Sequence, residues 1–275
     1  MNCRFTFPIL LSLLLSLGSC AAPSANADIP ARVATLLPAD ALLLGEQHDA
    51  PDHQRIHREV IDALVARAGL AAVVLEMADQ GGSTAGLPRD ADEAAVQAAL
   101  KWNNRIWPWG PYRPAVMAAV RAGAPVLGGN LQRSRLPEVM ADVSLDGLIP
   151  GPALKTQQQA IRVGHCNALP ESQIGPMTRV QIARDLALAR SLVQAAVPGK
   201  TVVLLAGGRH VDRQLGVPLH LPHGFNVKTV LLRAESSPDA TEQIATFEAV
   251  WPTPAIPVKD YCAEFRQRMA PRHSP

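Results

Sequence analysis

The sequence predicts an α/β fold of three layers, a mostly parallel sheet flanked by helices, on two observations. Short apolar segments, the strand candidates, recur along the chain at 41–44, 71–75, 125–127, 201–206 and 227–232. Segments with the apolar spacing of amphipathic helices separate them at 51–68, 112–122 and 177–196. The strand candidates are continuously apolar rather than alternating, which is typical of strands buried on both faces of a parallel sheet.

Two stretches fit this alternation poorly. Residues near 80–111 and 136–176 contain helical fragments and proline-rich turns instead of strands. We expect them to form a small helical subdomain beside the sheet. Residues 31–275 are long enough for one large α/β domain with such excursions.

The N-terminus has the features of an export signal. Arg4 precedes an apolar run at 5–17, which is too short to span a bilayer comfortably. Residues 17–20 resemble a lipobox, which predicts a signal peptide at 1–19, a lipidated Cys20 and a tether at 20–30. Because no Asp follows Cys20, we expect an outer-membrane lipoprotein facing the periplasm or the surface. Ordinary secretory cleavage after 25–27 is the alternative.

Composition excludes some classes of protein. The formal net charge is +2, which is too small for the electrostatic footprint of a nucleic-acid-binding protein. No second stretch is apolar enough for a transmembrane helix. After processing, Cys166 and Cys262 remain, and an oxidising compartment would allow them to pair. Their separation in sequence leaves this pairing open.

Polar residues follow four of the predicted strands. Glu46 and His48 follow the first, Glu76 the second, and Asn130 with Arg133 the third; Arg209 and His210 follow the fourth. In open parallel sheets, ligands bind at the carboxyl ends of the strands, so these side chains should converge there. His48, Glu76 and His210 could hold a divalent metal, or the set could act in acid–base chemistry.

Each motif also has a structural interpretation. The segments 45–49 and 207–210 could be simple turns into helices, the second with an anion-binding N-terminus. His53 and His57 are interpreted as solvated helix residues, and His220 and His223 as weak candidates. The aromatic cluster is either a hydrophobic cluster under a loop or a wall for a flat apolar ligand. It comprises Trp102, Trp107, Trp109 and Tyr112.

A series of short segments, in order along the chain, resembles the ChaN-type haem-binding uptake proteins of the Tiki/TraB/erythromycin-esterase-like superfamily. The matching segments are 44–48, 75–77, 107–112, 130–133, 164–170, 181–185 and 206–218. Asn167 and Ala168 depart from the Gly-Met expected after the cysteine. The resemblance implies a three-layer α/β fold with a small helical domain.

The resemblance also implies haem binding at the cell envelope for iron acquisition, with the cargo handed to an envelope transporter. Ferric haem takes His or Tyr as axial ligands. Tyr112 and His165 are the first choices here, and His48, His210 and Tyr261 are further candidates. Arg133 or Arg209 would pair with a haem propionate. Trp107, Trp109 and Asn130 complete the expected haem-binding set.

Other functions stay open on the sequence alone. Other branches of the superfamily resemble metal-dependent proteases and macrolide esterases. In such a hydrolase, Glu46 would be the general base, while His48, Glu76 and His210 would hold a metal or activate water. A lipoprotein that binds a partner protein is a third hypothesis. A shallow site could also leave haem exposed for a second copy to cover, which would give a homodimer.

Overall fold

The structure, a computed structural model, describes residues 28–235 and 244–269. The expected signal peptide, the lipidation site at Cys20 and most of the expected tether lie outside these residues. The first helix begins at Ile29, so the last two residues assigned to the tether are helical.

A six-stranded sheet in the order β3-β2-β4-β1-β5-β6 forms the centre of the molecule, and each neighbouring pair of strands is parallel. The strands are β1 (Ala41–Glu46), β2 (Leu70–Asp79), β3 (Val126–Asn130), β4 (Thr201–Gly207), β5 (Val227–Ala234) and β6 (Ala249–Thr253). The α/β fold and the five expected strands are confirmed. The sequence did not indicate β6, which is short and contains Pro252. As the edge strand, β6 accommodates a proline without losing a hydrogen bond of the sheet interior.

Helices cover both faces of the sheet in the described residues. They are α1 (Ile29–Leu36), α2 (Pro51–Ala66), α3 (Glu93–Ala99), α4 (Trp109–Ala122), α5 (Leu136–Ala141), α6 (Gly151–Gly164), α7 (Glu171–Ala195) and α8 (Tyr261–Met269). Successive strand residues point to opposite faces, and both faces are buried. Leu42 and Leu44 pack with α1, α2 and α4, whereas Leu43 packs against α7.

The two excursions differ in structure. The segment at 136–176 is helical, through α5, α6 and the start of α7, and contributes to an apolar cluster of its own that includes Val139 and Ile149. The segment at 80–111 has α3 as its helix, and Val96 belongs to the core beside the main sheet. In the described part of the chain, no helix is both long and apolar enough to cross a membrane.

A disulfide joins Cys166 to Cys262, with their Cα atoms 5.5 Å apart. Cys166 lies in the turn after α6, and Cys262 is the second residue of α8. The pairing that the sequence left open is therefore formed, and it attaches the C-terminal helix to the helical excursion.

Candidate functional site

Three strand ends form a cluster of buried polar side chains. β4 lies between β2 and β1, with Glu46 in register with Gly207 and Leu75 in register with Leu205. Glu46, Glu76 and the 207–210 turn are thereby brought to one edge of the sheet, as the sequence predicted. This edge is where parallel sheets bind their ligands.

Glu46 is the acceptor at the centre of one half of the cluster. Its Oε1 accepts hydrogen bonds from His48 Nδ1 at 2.7 Å and from Tyr112 Oη at 2.8 Å, and its Oε2 accepts one from Gln54 at 2.7 Å. Burial alone would raise the pKa of Glu46, but the hydrogen bond from His48 and the nearby His57 outweigh it and hold the pKa below its usual value. Glu46 is therefore a buried carboxylate with its acceptors well used.

His48 connects the two halves of the cluster. Its Nε2 lies 3.8 Å from Glu76 Oε2, and its ring contacts the edge of Trp107 with 4.7 Å between centroids. Burial opposes the charged imidazole, but the carboxylates of Glu46 and Glu76 raise the pKa of His48 above its usual value. Its side chain is 36% exposed, so this imidazole is accessible from solvent.

The other half of the cluster is an ion-paired histidine. His210 Nδ1 lies 2.6 Å from Asp185 and its Nε2 lies 3.3 Å from Glu76, which also accepts a 2.7 Å hydrogen bond from the Gly207 amide. Burial would lower the pKa of His210, but the two carboxylates raise it to about 10. Burial raises the pKa of Asp185 to about 6 despite its ion pair, whereas His210 holds the pKa of Glu76 far below its usual value. A protonated His210 between two carboxylates satisfies the buried charges.

His53 and His57 are buried, which corrects the interpretation that they are solvated. His53 Nδ1 accepts a hydrogen bond from the Gln47 amide at 2.9 Å, and burial lowers its pKa to about 4. His57 Nδ1 lies 3.8 Å from Glu46 Oε2, and burial lowers the pKa of His57 as well. The signal was their spacing, because they share the core-facing stripe of α2 with Val60 and Leu64.

The sequence analysis also missed Gln54 and gave no role to Asp185, although both complete the cluster through hydrogen bonds to Glu46 and His210. A helical carboxylate such as Asp185 has no local signal of a partner in a distant turn. Only the packing of α7 against the sheet brings the two together.

The aromatic residues form one cluster that is continuous with the main core. Trp102 contacts Trp109 and Tyr112 with ring centroids 4.9 and 5.9 Å apart, and Trp102 Nε1 donates to the carbonyl of Trp107. Trp107 is the member that also contacts His48. Most of this cluster is structural, and Trp107 joins it to the polar residues.

A cleft of about 430 Å³ opens beside His48, between the N-terminal ends of α2 and α4. Its walls are mostly apolar, with prolines from both helices. The lining residues are His48, Asp49, Pro51, Gln54, Arg55, Arg58, Gly110, Pro111 and Pro114. Cavities of this size and character are typical of small-molecule sites.

The other residues predicted to bind haem lie elsewhere. Trp107, Asn130 and Arg133 line a second cavity of about 160 Å³, together with Glu76 and other residues. Arg209 donates to the carbonyl of Ala160 at 2.8 Å.

The first-choice axial ligands, Tyr112 and His165, are not among the residues that line the larger cleft. Tyr112 is 2% exposed, and burial together with Glu46 raises its pKa. His165 follows α6, where its ring lies 5.9 Å from that of Phe265. Tyr261 donates to Asp49, a residue of the cleft wall, at 2.9 Å.

A metal centre finds no support in the described residues, where no group of three or more His, Cys, Asp or Glu side chains is arranged to hold a metal ion. His48, Glu76 and His210 do meet, but as ion pairs and hydrogen bonds to carboxylates. The hydrolase alternative is therefore not favoured.

Comparisons with solved structures agree with the fold. ChaN of Campylobacter jejuni, described with cofacial haem binding, superimposes with a TM-score of 0.64 at 23% identity, covering 75% of this chain and 86% of that one. The type III effector HopBA1 gives a TM-score of 0.48 at 14% identity, covering 84% and 95%. An effector domain of a Vibrio vulnificus toxin gives 0.43 at 16% identity, covering 86% and 40%. Among curated proteins, none matches the chain.

The sequence comparison with protein families is more specific. The family described as "Haem-binding uptake, Tiki superfamily, ChaN" matches residues 32–221, more than half of the chain. This range contains the strand ends that build the polar cluster and both helices that form the cleft. The chain therefore belongs to the ChaN family of haem-binding uptake proteins.

Proposed function

We propose that this protein is an envelope lipoprotein that binds haem as cargo in the cleft between α2 and α4 and hands it to a transport system. The observation that carries the proposal is the apolar cleft of about 430 Å³ with the accessible imidazole of His48 in its wall. The family's description as haem-binding uptake proteins supports it, as does the cofacial haem binding described for Campylobacter jejuni ChaN.

The residues of the cleft fit the chemistry of haem. Pro51, Pro111 and Pro114 present apolar rings without backbone N–H groups, and Gly110 adds no side chain. Such walls suit the flat hydrocarbon face of a porphyrin. A polar group is then needed only at the iron and at the carboxylate edge.

We assign the axial ligand to His48, in preference to Tyr112 and His165. Glu46 holds His48 Nδ1 at 2.7 Å, which fixes the ring and increases the basicity of Nε2, as carboxylate partners do for metal-binding histidines. Tyr112 is less suited because its hydroxyl donates to Glu46, and a raised pKa disfavours the phenolate that ferric iron would bind. Because the pKa of His48 is raised, haem binding should release a proton from it.

A haem titration of the mature domain with Cys20→Ser tests this function. We expect a saturable shift of the Soret band in visible absorption. His48→Gln should alter or abolish it, because the amide can still donate to Glu46 but ligates iron poorly. Tyr112→Phe, His165→Ala and Tyr261→Phe are run alongside. No saturable shift in the unsubstituted domain would refute haem binding, and an unchanged spectrum for His48→Gln would move the ligand to another residue.

The envelope location is tested on the full chain. Metabolic labelling with palmitate should label the protein and should fail for Cys20→Ser. Light scattering with and without haem tests whether the open cleft lets haem join two copies. A haem-dependent doubling of mass is expected if the cargo is shared, and a constant mass would contradict the homodimer.

A further inference from the structure

We infer that Arg55 and Arg58 bind the carboxylates of the cargo, so that the cleft selects flat apolar molecules carrying acidic groups along one edge. This inference rests on the proposed function and assigns a role that the sequence analysis gave to Arg133 or Arg209. Both Arg55 and Arg58 line the cleft.

The placement of the two arginines is the first argument. Residues three apart on a helix share a face, so Arg55 and Arg58 extend from the same side of α2. Arg58 Nη1 reaches the carbonyl of Pro114 on α4 at 3.4 Å, which places its guanidinium at the junction of the two helices. The two cations therefore flank the apolar walls.

The present partners of these arginines can be exchanged. Arg55 pairs with Asp52 at 3.0 Å and with Glu59 at 2.6 Å, and Arg58 pairs with Asp62 at 2.6 Å. All of these side chains are more than one third exposed. Exposed ion pairs contribute little to stability, so a carboxylate of the ligand can replace a carboxylate of the protein at small cost.

The remaining charges of the cleft favour an anion. Asp49 also lines it, but its carboxylate binds Lys259 at 2.8 Å and accepts from Tyr261 at 2.9 Å. The N-caps of α2 and α4 are Ala50 and Pro108, whose side chains offer no acceptor to the first helical amides. The positive ends of both helices add to the field of the arginines.

The arginines considered first are less suitable. Arg209 is bound to the carbonyl of Ala160, and Arg133 lines the smaller cavity beside Glu76 and Asp79, where two carboxylates oppose a further anion. Arg55 and Arg58 are the guanidinium groups that line the same cleft as His48.

Fluorescence titration with metal-free protoporphyrin and with its dimethyl ester tests the inference, because neither probe depends on an iron ligand. We expect the double variant Arg55→Gln/Arg58→Gln to bind the diacid at least 10-fold more weakly. It should bind the ester as the unsubstituted domain does. Arg113→Gln is the matched control, since Arg113 is an exposed arginine of α4 paired with Glu93 and is not among the lining residues.

A second variant acts in the opposite direction. Glu59→Gln removes a competing carboxylate from Arg55 and should tighten diacid binding 2- to 5-fold. Equal diacid binding by the unsubstituted domain and the double variant would overturn the arginine assignment while leaving haem binding intact. Failure of the unsubstituted domain to bind either porphyrin or haem would overturn the proposed function as well.

Discussion

The hydroxyl of Tyr112 donates a 2.8 Å hydrogen bond to Glu46 Oε1, the same oxygen that accepts from His48 Nδ1 at 2.7 Å. The two residues are 66 positions apart in the chain, on α4 and at the end of β1. This bond links the helix that forms one wall of the cleft to the carboxylate that orients His48. The phenol of Tyr112 is therefore a support for the site from below.

Tyr112→Phe should destabilise the fold by about 1–3 kcal/mol, because it removes a donor from a buried carboxylate. The pKa of Glu46 should rise at the same time. Urea unfolding at pH 7 measures the free energy of unfolding. Tyr261→Phe is the matched control, since Tyr261 is 47% exposed and should change stability by less than about 0.5 kcal/mol. Equal stability of the two variants would contradict the role of the Tyr112 hydroxyl.

Stability should fall as the pH drops from about 6.5 to about 4, because the folded protein keeps His53 neutral while the unfolded chain protonates it. Above the unfolded pKa this cost is absent, and it grows to about 3 kcal/mol near the lower pH. His57, whose pKa is also lowered, acts in the same direction. Urea unfolding across this pH range measures the effect.

His53→Asn isolates the contribution of His53, because the amide oxygen can still accept from the Gln47 amide at the position of Nδ1. The variant should be less stable at pH 7 but should lose less stability on acidification. A pH dependence identical to that of the unsubstituted protein would contradict a neutral, buried His53.

Gly128→Ala should destabilise the protein by at least about 2 kcal/mol. A Cβ at this position of β3 would overlap the backbone oxygen of Asp79, where the end of β2 passes close to its neighbour. Backbone cannot move away as a flexible side chain can. Gly147→Ala is the control, since a Cβ there meets no other atom within 4 Å. Thermal unfolding compares the two, and similar midpoints would contradict the close approach.

Reduction of the Cys166–Cys262 disulfide should lower the free energy of unfolding by about 2–5 kcal/mol, because the bond closes a loop with a sequence separation of 96. The double variant Cys166→Ser/Cys262→Ser should show the same loss and should be insensitive to dithiothreitol. Unfolding of the unsubstituted protein that is identical with and without reductant would show that the bond does not form in solution.

The sequence by itself determined the layered architecture and the location of the polar cluster. Continuous apolar runs at β1, β2, β4 and β5 are required by burial on both sides, and this requirement is local to each strand. Because parallel strands end at one edge, Glu46, Glu76 and His210 could be placed together without knowledge of their contacts. The edge strand β6 escaped because a five-residue segment with a proline has little periodicity.

Only the tertiary structure decided which residues face the cleft and which support it from behind. His53 and His57 are buried because α2 turns that stripe toward the sheet, and a helical sequence alone shows a stripe without showing what covers it. Asp185 and His210, Tyr112 and Glu46, and Cys166 and Cys262 meet through the packing of segments far apart in the chain. Such contacts depend on how distant elements dock, and local patterns of hydrophobicity and spacing carry no information about that docking.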